Sequence, residues 1–154
     1  MPEQPSIVDT WERLVRFHRL TTKAMDAHLR EQFGRTLDDY DVLHQINVHT
    51  GPIQMGELAE RLLVANSSCH RIVERLVDAG LMERSAGTQD RREVFVDLTA
   101  AGRRLWRRMA AVHTRDIEAH VGVPLTGSQH RELREALGSL LAGADSVTRG
   151  PEPL

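Results

Sequence analysis

Between Met55 and Leu98 the hydrophobic period of the chain switches, and that switch constrains the fold more than any other feature. From Met55 to Leu63 the apolar residues Leu58, Ala59 and Leu62 recur at helical spacing. A brief turn at Val64-Ala65-Asn66 follows, with Asn66 placed to cap what comes next. Ser67 to Ala79 then predicts a second helix whose stripe is Cys69, Ile72, Val73 and Leu76, ended by Gly80. After Gly80 the period falls to two. Leu81–Ser85 and Glu93–Leu98 alternate as strands do, and the polar segment between them contains Gly87.

The flanks are helical. Ile7, Trp11, Leu14, Val15, His18, Met25, Leu29 and Phe33 predict one long helix over 7–33, with Gly34 after it. Thr36 and Asp39 form a capping-box pattern ahead of a helix striped by Leu37, Tyr40, Leu43 and Ile46, which stops before Thr50-Gly51-Pro52. Ile53 and Gln54 suit a very short strand. Thr99 caps a long helix running to about Val121, with Leu105, Trp106, Met109, Val112, His113 and Ile117 on one side. After Pro124, Thr126 and Gln129 repeat the capping pattern before a last helix carrying Leu133, Leu137, Leu140 and Leu141. The expected fold class is mainly α with a small β component (α+β), as one domain over 1–154. Within it, 36–98 reads as a helix-turn-helix lobe with a β-hairpin wing, and the helices over 7–33 and 100–145 lie outside the lobe.

Composition places the chain among ordinary globular domains, with 40% apolar and 27% charged residues. No apolar run approaches the roughly 18 residues of a membrane span. The opening MPEQPSIVDTWERL lacks the basic start and apolar stretch of a signal peptide, and the single Cys69 excludes an internal disulfide framework. The expectation is a cytoplasmic protein. Net charge is −2, which argues at first against a nucleic-acid partner. Its distribution argues the other way. From Arg61 to Arg108 there are ten basic against six acidic side chains, and the rest of the chain has ten against sixteen. Phosphate binding requires a local basic surface rather than a basic protein. Lys23 is the only lysine, so nearly every cation is an arginine, suited to planar recognition.

These residues resemble the MarR family of transcription regulators. Gly56-Glu57-Leu58-Ala59-Glu60-Arg61 matches the opening of its helix-turn-helix. Ile72-Val73-Glu74-Arg75-Leu76, followed by Ala79-Gly80-Leu81, matches the close of its recognition helix. Asp90-Arg91-Arg92, then Val94, Val96, Leu98 and Thr99, matches its wing signature. The resemblance implies a homodimer on double-stranded DNA. The first helix and the last two would form the dimer platform, and two winged lobes would enter adjacent major grooves of a pseudo-palindromic operator. It implies a repressor released by a small, often phenolic or lipophilic, molecule. Two positions depart from the pattern: Ala65 stands where a Ser or Thr cap is usual, and His70 where Ser or Thr is common.

The candidate DNA-binding residues follow from that placement. Ser67, Ser68, His70, Arg71 and Arg75 lie off the buried stripe of the second helix, where hydroxyls, imidazole and guanidinium can meet base edges or phosphates. Arg75 has a second role open to it, as the structural partner of Glu74, Asp78 or another nearby acid. In the hairpin, Arg92 suits the narrow minor groove and Arg91 suits phosphate. Asp90 can either hold the Arg92 guanidinium or brace the turn. The candidate ligand-binding residues are Trp11, His18, Tyr40, His44 and His113, all expected on inward stripes, with Arg16 or Arg13 for a carboxylate.

Other chemistries have less to stand on. His113 and Asp116 share a helix face, yet no HxxxH or CxxC pattern accompanies them, so neither a metal nor another cofactor is expected. Cys69 sits on a buried stripe, as an inert thiol does. Ser67 and Ser68 lack a GxSxG elbow and there is no phosphate-binding glycine loop, so an enzyme is not expected. An architectural DNA-binding protein without an effector, or a metal- or redox-responsive regulator, are the alternatives.

Overall fold

The long apolar stripe near the N-terminus forms helix α1, Ile7–Phe33, closed by Gly34 in the left-handed region at φ 64°. The computed structural model describes residues 6–87, 90 and 92–148. The chain divides into two compact units, one ending at Thr114 and one beginning at Arg115.

In the first unit α1 is followed by α2, Leu37–His49. Both halves of its capping box are formed: Thr36 Oγ1 accepts from Asp39 N at 2.9 Å, and Asp39 Oδ2 accepts from Thr36 N at 3.1 Å. Asp26 of α1 supplies a third cap by accepting from Leu37 N at 2.8 Å. These bonds satisfy amides that a helix start leaves orphaned. The chain then turns at Thr50 and Gly51, both at positive φ, into β1, Ile53–Gln54.

Helices α3, Met55–Leu62, and α4, Asn66–Asp78, follow. Between them Leu63 closes α3 at φ 55°, and its N–H bonds to Ala59 and Glu60 carbonyls. A leucine there carries a Cβ penalty that glycine escapes, and its side chain is 92% exposed. Asn66 does not cap α4. It is the first helical residue, and Ala65 stands at the cap with no side-chain bond to give.

Strands β2, Met82–Ala86, and β3, Val94–Leu98, pair antiparallel from Met82 opposite Leu98 to Ala86 opposite Val94. β1 adds to the other side of β3, with Ile53 opposite Val96, so the sheet order is β1-β3-β2. Along β2 only Met82 is buried, so the hairpin leaves the core within one residue. Helix α5, Ala100–Ile117, continues from β3. Its first turn is tied down by Thr99, whose Oγ1 donates to Gly80 O at 2.8 Å and accepts from Gly102 N at 3.1 Å.

One core joins these elements. Leu29, Val42, Leu43, Ile46, Ile53, Leu58, Cys69, Val73, Leu76, Val96 and Met109 have no exposed surface. The second unit begins within α5, passes through a short π-helical turn at Glu118–Gly122, and ends in α6, Gly127–Thr148. The Thr126 box ahead of α6 is formed, with Gln129 Oε1 accepting from Thr126 N at 2.9 Å. Leu133, Leu137, Leu140 and Leu141 of α6 are all exposed.

Candidate nucleic-acid interface

Helix α4 buries Cys69, Ile72, Val73 and Leu76 and turns the rest of its first three turns outward. Ser67, His70 and Arg71 are exposed and Ser68 is half-buried. Arg71 Nη2 donates to Ser68 Oγ at 3.2 Å, one turn back on the same face. Ala65 gives the start of α4 no side-chain cap, and the helix dipole favours an anion at that end. This hydroxyl, imidazole and guanidinium face can meet base edges and phosphates together.

Arg75 is placed differently. Its Nε and Nη2 donate to Asp39 Oδ1 of α2 at 3.2 and 2.5 Å. Asp39 is the one buried charged side chain among the described residues, 1% exposed. The structural partner left open at this position is therefore Asp39, and neither Glu74 nor Asp78.

At the hairpin tip Asp90 takes the bracing role. Its Oδ1 accepts from the backbone N–H of Arg92 at 2.8 Å, and not from the guanidinium. The Asp90 carbonyl accepts from Glu93 N at 3.1 Å, and the Glu93 carbonyl from Gly87 N at 2.9 Å. A Cβ on Gly87 would meet the Asp90 carbonyl oxygen at 2.5 Å, so this closure requires glycine. Among the described residues the Arg92 guanidinium has no hydrogen-bond or ion-pair partner, and the residue is exposed. It is an exposed cation beside a backbone amide that Asp90 holds. Arg91 lies outside the described residues.

The fold adds a residue that spacing alone does not single out. Arg84 of β2, with His70 of α4 and Glu93 and Val94 of the hairpin, lines a cleft of about 250 Å³ between helix and wing. Its Nη2 lies 3.9 Å from Glu74. Strand alternation puts Arg84 on one face of the hairpin, but only the packing of β2 beside α4 brings it to His70.

The ligand candidates separate into two groups. Tyr40, His44 and His113 come together, joined by Trp106. Ring centroids are 5.7 Å apart for Tyr40 and His44, 4.5 Å for Tyr40 and His113, and 6.2 Å for His44 and Trp106. Nδ1 of His44 and Nε1 of Trp106 are buried without a hydrogen-bond partner among the described residues. Burial, and then the charge of Asp41, push the Tyr40 hydroxyl above its ordinary range. Asp41 keeps much of its surface exposed, yet desolvation of its carboxyl and the charge of Asp38 push it up to about 6. Trp11, Arg16 and His18 are not part of this group. They lie on the exposed N-terminal half of α1, where Trp11 is 63% exposed and, with Arg16, borders a shallow depression. Their expected inward placement is not what the chain adopts, because nothing within residues 6–114 packs over that stripe. Arg13 is paired with Asp9 at 2.7 Å.

Cys69 is fully buried, and burial pushes its thiol up, away from the reactive thiolate. Among the described residues no group of three or more His, Cys, Asp or Glu is placed to hold a metal ion. Nor is any helix among them long and apolar enough to cross a membrane.

Comparison with known proteins agrees with this geometry. Residues 36–94, from the α2 cap to the first residue of β3, match the model of the MarR family. The HTH-type transcriptional repressor Rv2887 of Mycobacterium tuberculosis is 33% identical over 107 residues, 70% of this chain and 76% of that protein. Two solved structures share the fold. Sco3205, a MarR family regulator from Streptomyces coelicolor in complex with DNA, superposes with a TM-score of 0.82 at 24% identity, over 93% of this chain and 91% of that one. PcaV, a transcriptional regulator from the same organism in complex with its natural ligand, gives 0.71 at 22% identity, over 94% and 99%. A helix-turn-helix followed by a basic, Asp-braced wing, matched in sequence and fold alike, makes this chain a member of the MarR family of DNA-binding transcription regulators.

Proposed function

We propose that the chain is a ligand-responsive repressor that acts in the cytoplasm as a homodimer on a pseudo-palindromic operator. In this reading α4 enters the major groove through Ser67, Ser68, His70 and Arg71, with Arg84 at its flank. Arg92, on the tip braced by Asp90, enters the neighbouring minor groove, and Arg91 serves phosphate. The observation that carries the reading is the single lobe on which a helix with no side-chain cap and a polar outer face stands beside a hairpin where Asp90 braces the backbone of an exposed Arg92. The complex of Sco3205 with DNA supports it by fold.

Dimerisation is inferred from two apolar faces that the chain does not cover itself. On α1, Ile7, Trp11, Leu14, Phe17 and Leu20 are each at least 37% exposed, and on α6 the four leucines are exposed as well. A second copy covering such faces gains about 25 cal/mol for each Å² of apolar surface removed from water. It would also set the two recognition helices about 34–36 Å apart, one turn of duplex.

Release by an aromatic acid is inferred from the Tyr40, His44, Trp106 and His113 cluster. Trp106 Nε1 can only donate, so a ligand oxygen beside it would satisfy a buried group that otherwise costs free energy. A planar ring suits the stacked walls. In the dimer, Trp11, Arg16 and His18 of α1 are the groups offered to the same ligand from the platform side. The effector acts only through its different affinity for the DNA-competent and incompetent shapes.

Selection of bound sequences from random duplex DNA tests the reading. The expected product is an inverted repeat with one helical turn between half-site centres, released in a titration with simple aromatic acids. Absence of any enriched sequence would refute the operator reading. Enrichment without release would refute the effector alone.

A further inference from the structure

The pair formed by Arg75 and Asp39 joins α4 to α2 across 36 residues of sequence through two hydrogen bonds to one carboxylate oxygen. Asp39 lies in the first turn of α2 with both of its carboxylate oxygens engaged. Oδ2 accepts the Thr36 amide of the capping box, and Oδ1 accepts both Arg75 bonds. The two side chains differ sharply in exposure, 2% for Asp39 and 47% for Arg75. A buried carboxylate in this setting holds its partner, because releasing the guanidinium would leave a desolvated charge unpaired. Arg71, one turn earlier on α4, bonds only to Ser68 on its own helix. Successive arginines on the same helix thus point to different partners, Arg71 outward and Arg75 inward to α2.

We propose that Arg75 is a positioning residue and not a base-reading one. It is a strut that fixes the rotation of α4 about its own axis by tying its third turn to the capped start of α2. The apolar stripe of α4, Cys69, Ile72, Val73 and Leu76, fixes how deep the helix sits, while apolar burial is non-directional and leaves rotation to be set by directional contacts. A guanidinium whose Nε and Nη2 converge on one fixed carboxylate oxygen tethers the helix at a defined point on its circumference, and a few degrees of helix rotation displaces Ser67 and His70 relative to a base edge. Asp39 thereby contributes to operator recognition without touching DNA.

The inference rests on α4 being the groove-entering helix, which is tested separately: if His70→Ala and Ser67→Ala leave operator affinity unchanged, that reading fails. The test of the strut compares Asp39→Asn, Arg75→Met, their double variant and Thr36→Ala in the full-length protein. Binding is measured to the selected operator and to random duplex of equal length, well below the melting temperature of each variant. Asp39→Asn keeps an oxygen for the Thr36 amide but loses the charge that holds Arg75. The expected result is a loss of operator affinity of about tenfold for Asp39→Asn and for Arg75→Met, and no further loss in the double variant. Affinity for random duplex and its salt dependence stay unchanged, since no phosphate contact is removed. Arg75→Lys recovers part of the loss. Thr36→Ala weakens the cap alone, so it lowers the melting temperature and leaves operator affinity intact. The proposal is overturned if Arg75→Met loses affinity while Asp39→Asn does not, because Arg75 then reads DNA directly. It is equally overturned if Thr36→Ala costs as much affinity as Asp39→Asn, because general loosening of α2 then accounts for the effect.

Discussion

Replacing Gly102 by alanine sets helix propensity against close packing, and the structure indicates which prevails. Gly102 lies in the first turn of α5, buried against the backbone at Leu81. Alanine in a helix interior is favoured over glycine by about 0.5–1 kcal/mol. Here its Cβ would fall 3.0 Å from the Leu81 carbonyl carbon and well inside contact distance of the carbonyl oxygen. Neither atom belongs to a side chain that can swing away. The start of α5 would have to lift by roughly an ångström, an overpacking cost of about 1–3 kcal/mol. That movement stretches two bonds that dock the helix, Thr99 N to Leu81 O at 3.1 Å and Thr99 Oγ1 to Gly80 O at 2.8 Å. Weakening them costs about 1 kcal/mol more. After subtracting the propensity gain, the net is about 2 kcal/mol of destabilisation. For a domain of this size that lowers the melting temperature by roughly 4–8 °C. Thermal unfolding followed by circular dichroism measures the shift, and the helical signal of the folded state should stay the same. A variant that melts at or above the temperature of the parent would refute the reasoning, because propensity would then outweigh the contact.

Three further outcomes follow from single residues. Arg92→Ala removes an exposed cation of the wing and should weaken operator binding more than about tenfold in a gel-shift titration, with the dimer intact by size-exclusion chromatography; unchanged affinity would refute the minor-groove assignment. Leu63→Gly relieves a left-handed leucine at a cost of about 1–2 kcal/mol and adds about 0.5–1 kcal/mol of unfolded-chain entropy, so it should stabilise by about 0.5 kcal/mol in urea titrations while DNA affinity stays the same. Partial burial raises the Asp26 carboxyl, but the Arg30 side-chain bond, the Leu37 amide and the Arg30 charge outweigh it and hold the group below its ordinary value of 3.8. The charged form is the one the fold stabilises. Its contribution is therefore present above pH 4 and lost as the solution is acidified through and below that range. Asp26→Asn should flatten this acid limb in a stability-against-pH series, and an unaltered limb would count against the α1–α2 latch.

Much of the lobe is legible in the sequence because its signals are local. The ends of α1 are set where the apolar stripe starts and where Gly34 adopts positive φ, and the Thr36 and Thr126 boxes need only four consecutive residues. The hairpin follows from alternation around Gly87. The start of α4 is less legible. Ala65 is an unusual cap, so the eye moves to Asn66, whereas the backbone begins the helix one residue earlier and goes without a side-chain cap. The site is partly legible in the same way. Ser67, His70, Arg71 and Arg92 are recognisable from their distance to the buried stripe and the wing motif. Asp90 permits two roles on spacing alone, and only the tip geometry selects the brace on the Arg92 amide.

The sequence by itself determined the order and type of the elements, the winged lobe and the family, because period, caps and turn residues act over a few positions. Tertiary structure alone decided which partners the polar residues take. Asp39 and Arg75 are 36 residues apart, Arg84 shares a cleft with His70 only when a strand packs beside a helix, and Tyr40 and His44 meet His113 and Trp106 across two helices. Hydrogen bonds and ring contacts extend only a few ångströms, so pairs distant in the chain are fixed by how the core closes, which no local pattern encodes.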